Sequence, residues 1–117
     1  MRPILAIDFD GVIHRYSGGW GWCEGSIYDE PMPGAIQALR ELYGRGYDIV
    51  VHTARTDFDV IRTWLREWDN RHFPNAEAYP FKVTNLKPPA VAYIDDKAVL
   101  FTDWNAMLGQ FSELERR

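Results

Sequence analysis

Cysteine is almost missing from this chain. Cys23 is alone among 117 residues, so no internal disulfide staples the fold, and such cysteine usage is expected of a reducing, cytoplasmic setting. No apolar run approaches the ~20 residues that cross a bilayer. Met1-Arg2-Pro3 leads straight into a strand pattern, so neither a membrane span nor a signal peptide is expected. Basic runs are lacking too. With 13 Lys and Arg against 17 Asp and Glu the formal net charge is −4, which excludes the electrostatic footprint of a duplex-DNA binder. Repeats and low-complexity tracts are absent, and a 46% hydrophobic share argues against disorder. A single domain over residues 1–117 is expected, burying roughly 65% of its extended surface.

Strand-like and helix-like periodicities alternate along the chain. Ile4-Leu5-Ala6-Ile7 is apolar on both faces, as in a strand inside a parallel sheet. A glycine- and aromatic-rich stretch follows, with Gly18, Gly19, Gly21 and Gly25 among Trp20 and Trp22, and predicts a flap over about 12–28. Pro33 suits a first helical turn, and Ala35, Leu39 and Leu42 keep helical spacing until Gly44 and Gly46. Asp48 to Thr53 is a second strand. Asp57 is the N-cap expected for a helix with Ile61, Trp64, Leu65 and Trp68 on its inner face. Tyr79–Val83 is a short strand candidate and Ala90–Ile94 a clear one. A last helix is expected from about Asp103, with Trp104, Met107, Leu108, Phe111 and Leu114 inward. Such alternation predicts an α/β fold, a Rossmannoid three-layer arrangement with a central, mostly parallel sheet flanked by helices.

Polar residues gather where these strands end. Asp8 and Asp10 close the first strand, Thr53 the second and Asp95-Asp96 the third, while Lys87 precedes the third. Alternation along an extended backbone puts Asp8 and Asp10 on one side. Two unpaired carboxylates there repel each other and lose hydration, a cost that a bound cation would offset. In open α/β sheets ligands bind beyond the carboxyl ends of the strands. Hard oxygen ligands with room for water and a phosphate suit Mg²⁺. The bland alternatives are turn and capping carboxylates, a surface lysine beside prolines, and a threonine that caps a turn.

Asp8-Phe9-Asp10-Gly11-Val12, the strand-terminal Thr53, Lys87 and the Asp95-Asp96 pair resemble, in order, the four motifs of the haloacid dehalogenase (HAD) superfamily of phosphohydrolases. The resemblance spans residues 4 to about 103. Glu30-Pro31-Met32-Pro33, Tyr47 to Val51, Thr53-Ala54-Arg55 and Ile94-Asp95-Asp96-Lys97 are also similar to the phosphatase domain of the polynucleotide kinase/3′-phosphatase family, which more often has Arg where Lys97 stands. The resemblance implies Asp8 as a nucleophile that forms an aspartyl-phosphate and Asp10 as general acid and base. It implies Thr53 on a phosphate oxygen and Lys87 neutralising phosphate and nucleophile. Mg²⁺ would be held by Asp8, the backbone carbonyl of Asp10 and Asp95, with Asp96 in support. Too few residues separate Gly11 from Pro31, or Thr53 from Lys87, to form a separate cap domain. An open cleft of that kind suits a phosphorylated substrate such as a nucleic-acid end, a nucleotide or another phosphomonoester.

Other residues keep two readings each. Arg55 forks onto a substrate phosphate or forms an ordinary salt bridge. Trp20 and Trp22 stack a base or pack the flap. His14, His52 and His72 share no metal-ligand spacing and read as structural or surface residues; Trp64, Trp68 and Trp104 read as core. Two functions from other classes compete with the phosphatase: a receiver-like phospho-acceptor signalling domain, and a catalytically idle HAD-like binding module.

Overall fold

β1 (Ile4–Asp8) has no polar face, and Leu5, Ala6 and Ile7 are all buried, which assigns it to the middle of a sheet. The structure is a computed structural model that describes residues 2–20, 26–77, 82–86, 88, 90, 92–95, 99–100 and 103–115. β2 (Asp48–His52) pairs with β1 in parallel, from Ile4 beside Asp48 to Asp8 beside His52. On the other side β4 (Ala92–Asp95) pairs in parallel, from Leu5 beside Ala92 to Ile7 beside Ile94. β3 (Lys82–Thr84) lies outside β2, and the two-residue β5 (Val99–Leu100) outside β4. The order is therefore β3-β2-β1-β4-β5, parallel throughout, with no cap domain among the described residues.

Three helices complete the α/β fold: α1 (Ala35–Gly44), α2 (Phe58–His72) and α3 (Trp104–Glu115). Each contributes to one apolar cluster with the strand residues Leu5, Ile7, Ile49, Val51 and Ile94, which share a sheet face by alternation. Ala6 and Val50, on the opposite face, are buried as well. Arg40 of α1 forks onto Asp69 of α2, Nε to Oδ1 at 2.8 Å and Nη2 to Oδ2 at 2.6 Å, clipping the two helices together. From α3, the indole N–H of Trp104 donates to the Val12 carbonyl at 3.2 Å, which pins the loop after β1.

Several details depart from expectation. α1 starts at Ala35, after Pro33, because the Ala35 N–H turns back to the Met32 carbonyl at 2.9 Å and Gly34 adopts a left-handed φ of 81°. Asp57 is the N-cap of α2 by position but makes no side-chain cap bond, whereas Asp103 does cap α3, accepting from the Ala106 N–H at 2.8 Å. Trp64 and Trp104 are core; Trp68 is only partly buried and carries Arg71 over its ring at 4.4 Å. Of the strand expected over Tyr79–Val83, residues 79–81 lie outside the described residues and Lys82 and Val83 fall in β3, while β5 carried no recognisable sequence signal.

The left-handed turn at Gly34 yields a stability prediction. A Cβ there would meet Trp104 Cβ at 3.7 Å, ordinary van der Waals contact, so backbone strain alone should set the cost. Gly34→Ala is expected to lower unfolding free energy by about 1–2 kcal/mol in a urea titration; a neutral or stabilising effect would contradict this.

Candidate functional site

The direction of chain reversal in the strand order locates the site. From β1 the chain steps outward to β2 and β3, then crosses to β4 on the other side, so the crevice at the carboxyl ends of β1 and β4 is a topological switch point. Asp8 ends β1 beside His52, with Thr53 next in the chain. The β1–β4 register reaches Ile7 beside Ile94, so the backbone of Asp95 continues alongside Asp8. The Asp8 carboxylate accepts the Phe9 N–H at 3.0 Å.

Asp10 does not continue the strand. Its predecessor Phe9 is buried in the core, and the Phe9 carbonyl accepts the N–H groups of Val12, Ile13 and His14 at 3.3, 2.9 and 2.9 Å. The chain therefore coils into a tight loop, aided by Gly11 at φ 83°. Simple alternation of Asp8 and Asp10 on one extended edge is thus corrected: three converging amides bend the backbone before Asp10.

The charge on Asp10 is compensated from within the protein. Arg55, only 4% exposed, forks onto it with Nε to Oδ2 at 2.8 Å and Nη2 to Oδ1 at 3.0 Å. His14, fully buried, places Nδ1 2.8 Å from Oδ1. Burial pushes the Asp10 carboxyl up, but the hydrogen bonds from His14 and Arg55 and the Arg55 charge outweigh it, and the group is held below its ordinary value of 3.8. Arg55 is held the more firmly charged in return: burial opposes its charge, and the bonds to Asp10 overcome that. The fork considered for a substrate phosphate is in this arrangement a salt bridge between the loops after β1 and β2.

Rings surround this pair. The Arg55 guanidinium lies 5.4 Å from the centroid of Trp20, itself 57% exposed, and 6.0 Å from that of Tyr16. Trp20 thus covers Arg55 while leaving much of its surface to solvent. Thr53 is buried; its Oγ1 accepts the Arg55 N–H at 3.1 Å, and its N–H donates to the Thr84 carbonyl at 2.9 Å. The flap is cross-braced where it is described. Asp29 accepts from Ser17 Oγ at 2.6 Å and from the Ser17 N–H at 3.1 Å, and the Tyr28 hydroxyl accepts the Gly18 N–H at 2.8 Å. These bonds lower the Asp29 carboxyl to about 2.

Lys87, Asp96 and Trp22 lie outside the described residues, as does the side chain of Asp95. Among the described residues no three His, Cys, Asp or Glu side chains come together as a metal site. The donors placed at the edge are nonetheless all oxygen, namely the Asp8 carboxylate and the main chain of Asp10, and that chemistry fits Mg²⁺. The Asp10 side chain is occupied by Arg55 and His14, which leaves its backbone carbonyl for a metal. His14 is the functional candidate that the sequence reading passed over; the one available signal was its spacing four residues beyond Asp10 across a glycine turn.

No family model and no curated relative matches the chain. Among solved structures, a conserved protein from Bacteroides thetaiotaomicron matches with a TM-score of 0.63 over 97% of this chain and 92% of that one, at 22% identity. That likeness establishes the α/β fold. No helix among the described residues is long and apolar enough to cross a membrane.

Two predictions follow from the charges. Removing the cation of a largely buried pair leaves Asp10 uncompensated, so Arg55→Ala should cost about 3 kcal/mol in chemical denaturation; a loss below about 0.5 kcal/mol, ordinary for a surface substitution, would contradict the pairing. Asp10 and Asp29 are both depressed, so their contributions are complete above the ordinary value of 3.8 and fade as pH falls through the lower folded values, about 2 for Asp29. Thermal unfolding of the wild type should therefore weaken over that interval, and Asp29→Asn should flatten the decline. Identical pH dependence in both proteins would refute the Asp29 bracing.

Proposed function

We propose that the chain is a Mg²⁺-dependent phosphatase of the HAD type that hydrolyses phosphomonoesters through an aspartyl-phosphate on Asp8, on nucleic-acid ends or nucleotides. One observation carries this reading: the parallel register that brings the ends of β1, β2 and β4, with Asp8, Thr53 and Asp95, to one edge of the sheet. The ordered motifs and the environment of Asp10 add to it.

In the proposed reaction an Asp8 carboxylate oxygen attacks phosphorus, and the bond from phosphorus to the leaving oxygen breaks. Thr53 and Lys87 bind the non-bridging oxygens. A water molecule then attacks the aspartyl-phosphate, giving its proton to Asp10 and releasing inorganic phosphate and free Asp8. Arg55 and His14 keep Asp10 ionised, which suits that second half. For the first half, Asp10 must loosen from the Arg55 fork and take up a proton from solvent, which it then gives to the leaving oxygen. Mg²⁺, held by Asp8, the Asp10 carbonyl and Asp95 with Asp96 behind, would neutralise phosphate charge.

The same commitment of Asp10 favours a second reading, a receiver-like domain that accepts a phosphoryl group on Asp8 and retains it. Turnover separates the two. Phosphate release from an aryl phosphate, nucleotides and a 3′-phosphorylated oligonucleotide is expected to be multiple-turnover with Mg²⁺, lost with chelator and abolished by Asp8→Asn. Asp10→Asn should slow it by roughly 10²–10⁴. Covalent labelling of Asp8 without turnover would favour the receiver, and neither labelling nor turnover would leave an idle module.

A further inference from the structure

We infer that His14 is the positioning residue for Asp10 and transmits the hold of the flap to that carboxylate, a role that rests on the phosphatase reading of the edge. His14 Nε2 accepts the backbone N–H of Asp29 at 3.1 Å. A main-chain amide only donates, so Nε2 bears no hydrogen and the ring proton belongs on Nδ1. Nδ1 stands 2.8 Å from Asp10 Oδ1, so this proton is donated to the carboxylate. The hydrogen-bond network thus assigns a single tautomer.

The ring has little freedom to turn. It is fully buried, stacked on Phe9 at 5.4 Å and 23°, and flanked edge-on by Tyr28 at 5.3 Å and Trp64 at 5.7 Å. Phe9 and Trp64 belong to the core, so the imidazole is referenced to the rigid part of the domain. On its other side it meets Asp29, which two hydrogen bonds cross-link to Ser17 of the flap. A continuous chain therefore runs from Ser17 through Asp29 and the imidazole to Asp10.

Arg55 and His14 divide the work. The guanidinium supplies charge and engages both carboxylate oxygens, whereas the imidazole supplies a neutral, directional bond to Oδ1 alone. A carboxylate that trades protons with a leaving oxygen and a water needs its direction fixed more than it needs a second cation. Loss of that direction should appear in the chemical step and spare phosphate binding.

Two substitutions split the imidazole into its halves. His14→Asn sets an amide nitrogen near the Nδ1 position and keeps a donor for Asp10. His14→Gln sets its amide near the Nε2 position, keeping a partner for Asp29 and losing the one for Asp10. With an aryl phosphate and Mg²⁺, His14→Gln is expected to lower kcat about 10–100-fold, as loss of a supporting partner commonly does, with KM within about threefold. His14→Asn should restore most of that loss, although both variants give up half of the bonding. Unchanged kcat in His14→Gln overturns the inference, as do equal kcat losses in both variants that follow a shared drop in Tm. In long-range ¹H–¹⁵N spectra of the wild type, His14 should carry its proton on Nδ1; a proton on Nε2 also overturns it. A wild type without turnover defeats the phosphatase reading and this role together, whereas turnover that is indifferent to His14→Gln defeats this role alone.

Discussion

The pairing of Asp10 with Arg55 fixes the relative placement of the loops that follow β1 and β2, and the candidate site is built around it. Both partners are largely withdrawn from water, a costly arrangement for either alone. The guanidinium fork matches the carboxylate in geometry, and the His14 donor satisfies one oxygen further. Such a pair adds little net stability compared with apolar packing, yet breaking it strands a charge, which couples the placement of the two loops. Arg55 is held in turn from beneath, where its own amide is bonded to Thr53 at the end of β2.

That arrangement gives two nearby carboxylates different environments, which is how one fold keeps two acidic groups in different roles. Asp8 ends the central strand at the switch point, bonded to the next amide in the chain. Asp10, two residues on, lies in a coiled loop and is pinned by a cation and a neutral ring. In the proposed reaction these two environments would suit a nucleophile and a base respectively, because positioning and charge compensation dominate phosphoryl transfer. Trp20 and Tyr16 lie against the Arg55 guanidinium that holds Asp10, and Ser17, nearby in the chain, is braced to Asp29.

The parts of the fold with strong periodicity were legible before any coordinates. β1, β2 and β4 are short apolar runs bounded by turn residues, and α1, α2 and α3 repeat apolar residues at helical spacing, so each announced itself. β5 has two residues and no period to detect. The loop after β1 was misread because alternation assumes an extended chain, while Phe9 prefers the core and its carbonyl gathers three amides. The partner of Arg55 lies 45 residues away in sequence, and a guanidinium fits a phosphate or a carboxylate equally, so local sequence did not decide between them. His14 was hidden for a related reason: a lone histidine among apolar neighbours reads as packing, and only the backbone N–H of Asp29, fifteen residues on, gives its ring a direction.

The most direct test of the proposed chemistry is a crystal structure of the protein grown with Mg²⁺ and beryllium fluoride, a mimic of a phosphoryl group on a carboxylate. The expected result is beryllofluoride bonded to an Asp8 oxygen, with the metal between Asp8, the Asp10 carbonyl and Asp95. Beryllofluoride bound elsewhere, or an edge that takes up neither metal nor fluoride at saturating concentrations, would contradict it.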